Sequence, residues 1–212
     1  MTMALFPIPV YMGPVRDKEA IDRVLSELDL KNETERLTGN AKVDSVEWNC
    51  NVRTSCDSRS QDPSSQWGND FMHLIKPNID EYVNDILTNP KMEVDYICNS
   101  PWINVYERGD HQELHDHLSG RNMISFSYFH KIPEGGARFR FKSPLAAMTF
   151  AGQIDSPPII DTVPEKRFYI EKDGDIFIFP SWLPHMVTPH NCDEIRVTIS
   201  GNLTILKRGT KL

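Results

Sequence analysis

Three of the seven histidines in this chain fall inside one short stretch, Trp102 to His117, W-I-N-V-Y-E-R-G-D-H-Q-E-L-H-D-H, at positions 111, 115 and 117. A second stretch answers it towards the C-terminal end: Asp173 to Thr198, with F-P-S-W-L-P-H at 179–185 and R-V-T at 196–198. A mononuclear non-haem iron site wants imidazole nitrogens, usually with one carboxylate, on a single face, and positions left open for other ligands. Two side chains at i and i+2 on a strand point the same way, so His115 and His117 satisfy that demand if the stretch is extended. The third ligand must come from a distant strand. His185 is the candidate, 70 residues after His115, behind the apolar run Ile176 to Phe179 that reads as a buried strand. Arg196 lies 11 residues beyond His185, with Thr198 on the same strand face. A guanidinium grips a carboxylate through two parallel hydrogen bonds, and a neighbouring hydroxyl can add a third.

Taken singly, each of these residues has an ordinary reading. A lone strand histidine is more often a hydrogen-bonded core or surface residue than a ligand. Two at i and i+2 after a Gly-Asp turn can be a solvated edge, and Arg196 alone can be one half of an ion pair. Order, spacing and strand context together favour a pocket.

The elements that must position these residues are mainly strands. Val94 to Cys98 and Trp102 to Tyr106 alternate, and Met123 to His130 is a strong strand. The step P-E-G-G at 133–136 predicts a hairpin into Arg138 to Phe141. Phe168 to Glu171, Ile176 to Phe179, Met186 to Thr188 and Ile195 to Ile205 complete the set, and Asp173-Gly174 is a turn signal. Before them, Leu5 to Tyr11 reads as an edge strand because Pro7 and Pro9 remove ladder donors. Asp17 to Leu30 reads as an amphipathic helix capped by Asp17, and Phe71 to Leu87 as a second helix with a break near Pro77. Two stretches read as long loops: the Ser-, Asp- and Asn-rich residues 49–66, and the proline-rich residues 143–165 over one mouth. Short strands at this spacing after helices predict a mainly β fold with flanking helices, a double-stranded β-helix of jelly-roll, cupin-like type. Residues 1–91 would supply a strand, helices and a loop that buttress a barrel core spanning 92–212, within one compact domain of 212 residues.

Composition narrows the function. Hydrophobic residues make up 39%, enough for a core. A net charge of −7 and a pI near 5.5 argue against nucleic acid as a partner. No apolar run approaches the ~20 residues of a membrane span. The N-terminal residues lack a basic region followed by an apolar core, so no export signal is expected. Cys50, Cys56, Cys98 and Cys192 show no C-x-x-C spacing and are expected to be reduced thiols in a cytoplasm. The P-loop, G-x-S-x-G and H-E-x-x-H signatures are absent. His130 at a strand end reads as solvated and His190 as a poorer ligand than His185, while Trp182 either lines the cavity or packs.

The histidine motif, the distal His185 and the offset of Arg196 resemble the 2-oxoglutarate- and iron(II)-dependent oxygenase superfamily. That family carries H-x-D/E, then a distal His, then an Arg or Lys. N-V-Y-E-R-G at 104–109 is similar to the N-x-Y-x-x-G segment of several of its branches. A group of small oxygenases from bacteria and tailed phages, with H-x-H and an F-P-S-x-L-x-H segment, is similar over residues 92 to 205, and its L-F-P-I-P start resembles residues 5–9. The resemblance implies iron(II) on His115, His117 and His185, with 2-oxoglutarate chelating it through the 1-carboxylate and 2-oxo group. The 5-carboxylate would pair with Arg196 and Thr198, with Asn104 and Tyr106 helping to hold the cosubstrate. O2 would complete a reaction that hydroxylates a C–H bond of a small molecule or protein side chain. One departure stands out: His117 occupies the usual carboxylate position. A three-His site, a site in which Asp116 swings in, and a shifted register with His111 and Glu113 all compete. The spacing from Gly109 favours His115 and His117. Two other functions stay open: a cupin-like barrel that holds a metal or small molecule without turnover, and a 2-oxoglutarate-independent three-His dioxygenase. A binding barrel has no use for a carboxylate clamp at Arg196.

Overall fold

The computed structural model describes residues 8–43, 46–56, 65–86, 93–98, 100–118, 121–142, 159–161 and 170–208. Among them are two helices, α1 (Lys18–Ser26) and α2 (Gln66–Ile86). The strands are β1 (Tyr11–Pro14), β2 (Glu35–Val43), β3 (Val46–Thr54), β4 (Val94–Cys98), β5 (Trp102–Tyr106), β6 (His111–His115), β7 (Ile124–Lys131), β8 (Phe139–Lys142), β9 (Ile159–Asp161), β10 (Asp175–Pro180), β11 (His185–Val187) and β12 (Arg196–Lys207). Every described pairing is antiparallel, in the order β1-β10-β7-β12-β5-β3-β6-β11-β8-β9, with β2 on β3 and β4 on β12. β3 turns the corner, because Arg53 and Thr54 pair with β5 while Cys50 and Asn51 pair with β6. The result is a curled antiparallel sheet of the double-stranded β-helix class.

Alternation along the strands builds two cores. Ile103 and Val105 of β5, Phe126 and Tyr128 of β7, Ile176 and Ile178 of β10, and Val197 and Ile199 of β12 face outwards. They pack with Ile21 and Leu25 of α1 and Phe71, Ile75 and Ile79 of α2. The residues between them face inwards. Tyr106, Phe129, Phe177 and Phe179 meet Phe139, Phe141 and Val187 from the opposite wall. Gly201 lies opposite Phe126, whose ring tip stands 2.4 Å from where a Cβ would sit, so β7 and β12 close only over a glycine. Asp17 caps α1 as expected, accepting from the Ala20 N–H at 2.9 Å.

Several expectations need correction. Residues 49–66 do not begin as a loop: Val46–Thr54 is a strand, with Cys50, Val52 and Thr54 buried between more exposed Asn49, Asn51 and Arg53. The polar outer positions masked that alternation, and residues 57–64 lie outside the described ones. The turn at 133–136 does not close a hairpin, since β8 pairs with β11 and β9 and crosses to the wall facing β7. The first strand is Tyr11–Pro14 rather than Leu5 to Tyr11, whose first three residues are not described. α1 ends at Ser26, short of Leu30. α2 begins at Gln66 and runs through Pro77 without a break, forgoing one hydrogen bond. Ile170 and Glu171 are not strand; Phe168 and Tyr169, and residues 143–158 and 162–165 of the expected second loop, lie outside the described residues. No helix among the described residues is long and apolar enough to cross a membrane.

Candidate metal centre and carboxylate clamp

His115 is the last residue of β6 and pairs directly with His185, the first of β11. His117 continues the ladder, its N–H donating to the Ser181 carbonyl at 2.8 Å. One ligand nitrogen from each of the three lies within 4.8 Å of the others. The Nε2 atoms of His117 and His185 are 3.2 Å apart. An imidazole nitrogen sits about 2.0–2.1 Å from an ion such as zinc, so two on one ion at right to tetrahedral angles are roughly 2.9–3.4 Å apart. That separation fits two ligands of one cation.

The backbone sets the tautomers. His115 Nδ1 bonds to the Glu113 carbonyl at 2.7 Å and His185 Nδ1 to the Leu183 carbonyl at 3.0 Å. A carbonyl can only accept, so each Nδ1 carries the proton and each Nε2 is free to ligate. Aromatic walls hold the rings: Trp102 stacks on His117 at 5.8 Å and Phe139 on His185 at 5.1 Å. Burial, followed by the neighbouring His115, lowers His117 to about 3. Burial also lowers His115, and it lowers His185 well below the ordinary range. All three are therefore neutral, the form that binds a metal.

A β-bulge aims β6. Val187 and His185 on β11 face Gln112 and His115 on β6, so one residue of β11, Met186, lies against two of β6, Glu113 and Leu114. The extra residue lets Gln112 and His115 both line one cavity despite their odd spacing. It turns Glu113 away, where its carboxylate accepts the Asn49 N–H at 2.7 Å. Asp116 is exposed and accepts from the Leu118 N–H at 3.1 Å. His111 is in neither the cluster nor the cavity lining. The described cluster is thus three imidazoles without a carboxylate, a donor set suited to iron, zinc, copper or nickel.

The cavity between them is small, about 20 Å³. The register opposes Arg196 to Tyr106, Thr198 to Asn104 and Ser200 to Trp102, and all six line the cavity. Arg196 is fully buried. Its Nη1 donates to the Ala137 carbonyl at 3.3 Å, and its guanidinium lies over the rings of Phe129 and Tyr106 at 5.3 and 5.7 Å. Nε and Nη2, which form one edge of the fork, have no hydrogen-bond partner among the described residues. A buried two-donor edge is what a carboxylate would satisfy. Asn104 accepts from Thr54 at 2.8 Å and holds its Nδ2 a long 3.4 Å from both Thr198 and Ser200. Tyr106, kept protonated by burial, donates to Gln112 Oε1 at 2.7 Å.

Sequence reasoning missed Gln112, Phe139, Ser200 and Glu171. Ser200 could have been read by extending the alternation of Arg196 and Thr198 one step. Gln112 arrives through a bulge, Phe139 on a crossing strand and Glu171 on a segment outside the described strands, for which no local signal exists. His190 is a buried tie, accepting the Ala137 N–H on Nδ1 and bonding the Glu194 carbonyl through Nε2. His130 is half-buried beside Asp22, 3.3 Å away, rather than solvated. Trp182 is 43% exposed.

Residues 100–202 match the model of a family described as "Putative 2OG-Fe(II) oxygenase". A search of curated proteins gives no match. Among solved structures, a Pseudomonas putida prolyl-4-hydroxylase is similar with a TM-score of 0.57 at 15% identity, over 95% of this chain and 94% of its own. A 2OG-Fe(II) oxygenase family oxidoreductase from Burkholderia pseudomallei gives 0.57 at 12%, over 92% and 85%. A Trichoplax adhaerens prolyl hydroxylase, solved with a hypoxia inducible factor peptide, gives 0.57 at 9%, over 92% and 83%. At these identities the likeness is one of fold. The matched segment and the fold class are those of the 2-oxoglutarate- and iron(II)-dependent oxygenases, oxidoreductases that use iron(II), 2-oxoglutarate and O2.

Proposed function

We propose that this chain couples oxidative decarboxylation of 2-oxoglutarate to oxidation of a C–H bond, with iron(II) held by His115, His117 and His185. Arg196 anchors the 5-carboxylate of 2-oxoglutarate through its Nε and Nη2 edge, and Thr198 adds a hydroxyl. Asn104 offers its loosely held Nδ2 to the cosubstrate, and Tyr106 closes the wall beside it. The observation that carries this reading is the unpartnered edge of a fully buried arginine in the same cavity as three convergent imidazoles. A barrel that merely held a metal would have no reason to bury a guanidinium there, since a buried, unsatisfied charged donor is costly.

The metal, when bound with 2-oxoglutarate and O2, supplies the oxidising chemistry of the family, yielding succinate and CO2. The chain orients and excludes water. The backbone carbonyls at 113 and 183 fix two ligand tautomers, Trp102 and Phe139 fix ring planes, and the aromatic wall keeps the clamp dry. The substrate is a small molecule or a side chain of another protein; that a similarly folded Trichoplax prolyl hydroxylase was solved in complex with a peptide supports the second class.

The test is uncoupled turnover. Protein loaded with iron(II) and given 2-oxoglutarate in air should form succinate slowly, and the Arg196→Ala variant should not. Binding of 2-oxoglutarate with no succinate under any iron loading would favour the non-catalytic barrel. Oxidation of a substrate without 2-oxoglutarate would favour the cosubstrate-independent three-His reading.

A further inference from the structure

Glu171 belongs to none of the motifs above, yet it is fully buried beside a residue that is also fully buried, Arg196. Its Oε1 lies 3.8 Å from Arg196 Nη1 and accepts the Phe139 N–H at 2.9 Å. The Ala137 carbonyl lies on the same Nη1 side. The described protein partners of the guanidinium thus gather at Nη1, while Nε and Nη2 have none among the described residues.

We propose that Glu171 is a positioning and selectivity residue of the carboxylate clamp, a built-in counter-ion that keeps Arg196 charged, turned and electrically balanced until a ligand carboxylate arrives. The proposal rests on the reading of Arg196 as the 5-carboxylate anchor. The physical reason is the low dielectric of the site. An uncompensated guanidinium there would hold almost any small anion by charge alone. Balanced by Glu171, it retains little net attraction and selects through two directional hydrogen bonds, which only a planar, correctly placed carboxylate can accept together. Selectivity for 2-oxoglutarate over inorganic anions is therefore gained at the expense of affinity, since the bound 5-carboxylate must share its arginine with Glu171.

Glu171→Gln isolates the charge, because the amide oxygen can still accept the Phe139 N–H and the shape is kept. By calorimetry under nitrogen, with manganese(II) as an inert metal, Glu171→Gln should bind 2-oxoglutarate about tenfold more tightly or better than wild type. Chloride, which carries the charge but cannot accept two parallel hydrogen bonds, should compete measurably in the variant and not in wild type. Binding of 2-oxopentanoate, which lacks the distal carboxylate, should not tighten. A role confined to packing would move none of these. A second arm reads the pair without cosubstrate: Glu171→Gln and Arg196→Met should each lower the melting temperature, by about 6–20 °C for a lost partner of a buried pair. The double variant should recover much of that loss. If wild type binds 2-oxoglutarate while Glu171→Gln binds it equally or more weakly, or if the two melting losses simply add, the proposal is overturned. If wild type does not bind 2-oxoglutarate, the anchor reading of Arg196 falls, and this proposal with it.

Discussion

Replacing Arg196 separates the clamp from the metal. A guanidinium offers donors only and is no metal ligand, so iron content should survive its loss. What disappears is a bidentate edge in a buried site. Removing one partner of a buried, charged hydrogen-bonded pair costs about 2–5 kcal/mol, or roughly 30- to several-thousand-fold in affinity. Arg196→Ala should therefore abolish measurable 2-oxoglutarate binding. Because it also breaks the buried Arg196–Glu171 pair, it should cost about 3–5 kcal/mol of stability, so circular dichroism must first show a folded protein. Arg196→Lys avoids that difficulty by keeping the charge near Glu171 while losing the planar fork. Losing one charge-assisted bond costs about 1.5–3 kcal/mol, so its affinity should fall roughly 10- to 150-fold. The assay is calorimetry with 2-oxoglutarate and manganese(II) under nitrogen, with metal content measured in parallel. Unchanged affinity in a folded Arg196→Lys or Arg196→Ala protein would refute the reasoning, as would loss of metal together with cosubstrate.

Other outcomes follow from the same geometry. His115→Ala, His117→Ala and His185→Ala should each lose most bound iron by metal analysis, whereas His111→Ala and Glu113→Gln should retain it; the reverse pattern would restore the shifted register. Thr198→Val should weaken 2-oxoglutarate by about 0.5–1.5 kcal/mol in the same calorimeter. Phe139→Ala removes a ring that packs on Phe129, Phe141 and His185; it should cost about 3–5 kcal/mol, seen as a melting temperature lower by roughly 6–20 °C. Burial pushes the Cys98 thiol up to about 12, and burial with the Asp80 hydrogen bond pushes the Tyr96 hydroxyl up to about 12. Both groups hold their protons more tightly folded than unfolded, so their contribution is intact below the ordinary values and is lost as pH rises towards 12. Urea unfolding midpoints should accordingly fall between pH 8 and pH 11, and a midpoint that rises would contradict those environments.

The convergence of three histidines was legible because it is written in local spacing. His115 and His117 share a face by strand alternation, and Arg196 and Thr198 do so by the same rule. The partner His185 followed from the apolar run Ile176 to Phe179, which reads as a buried strand. What stayed hidden is what depends on the third dimension. β3 read as loop because its outward residues are polar and its inward ones, Cys50, Val52 and Thr54, are few. β8 read as half of a hairpin because a Gly-Gly turn does not say which wall the chain will join. The bulge in β6 decides that Glu113 faces Asn49 rather than the imidazoles, and no residue type announces it. Glu171 was read only as the end of a strand, Phe168 to Glu171, and nothing in that local pattern says that the fold buries it against Arg196.

The central claim is that one cavity holds a metal on three histidines and a 2-oxo acid on Arg196 at the same time. The most direct measurement is anaerobic titration of the iron(II)-loaded protein with 2-oxoglutarate, followed by visible absorption. A saturable charge-transfer band at one equivalent of cosubstrate, absent in His185→Ala and in Arg196→Ala, is the expected result. Iron bound at full occupancy with no band at saturating 2-oxoglutarate would contradict it.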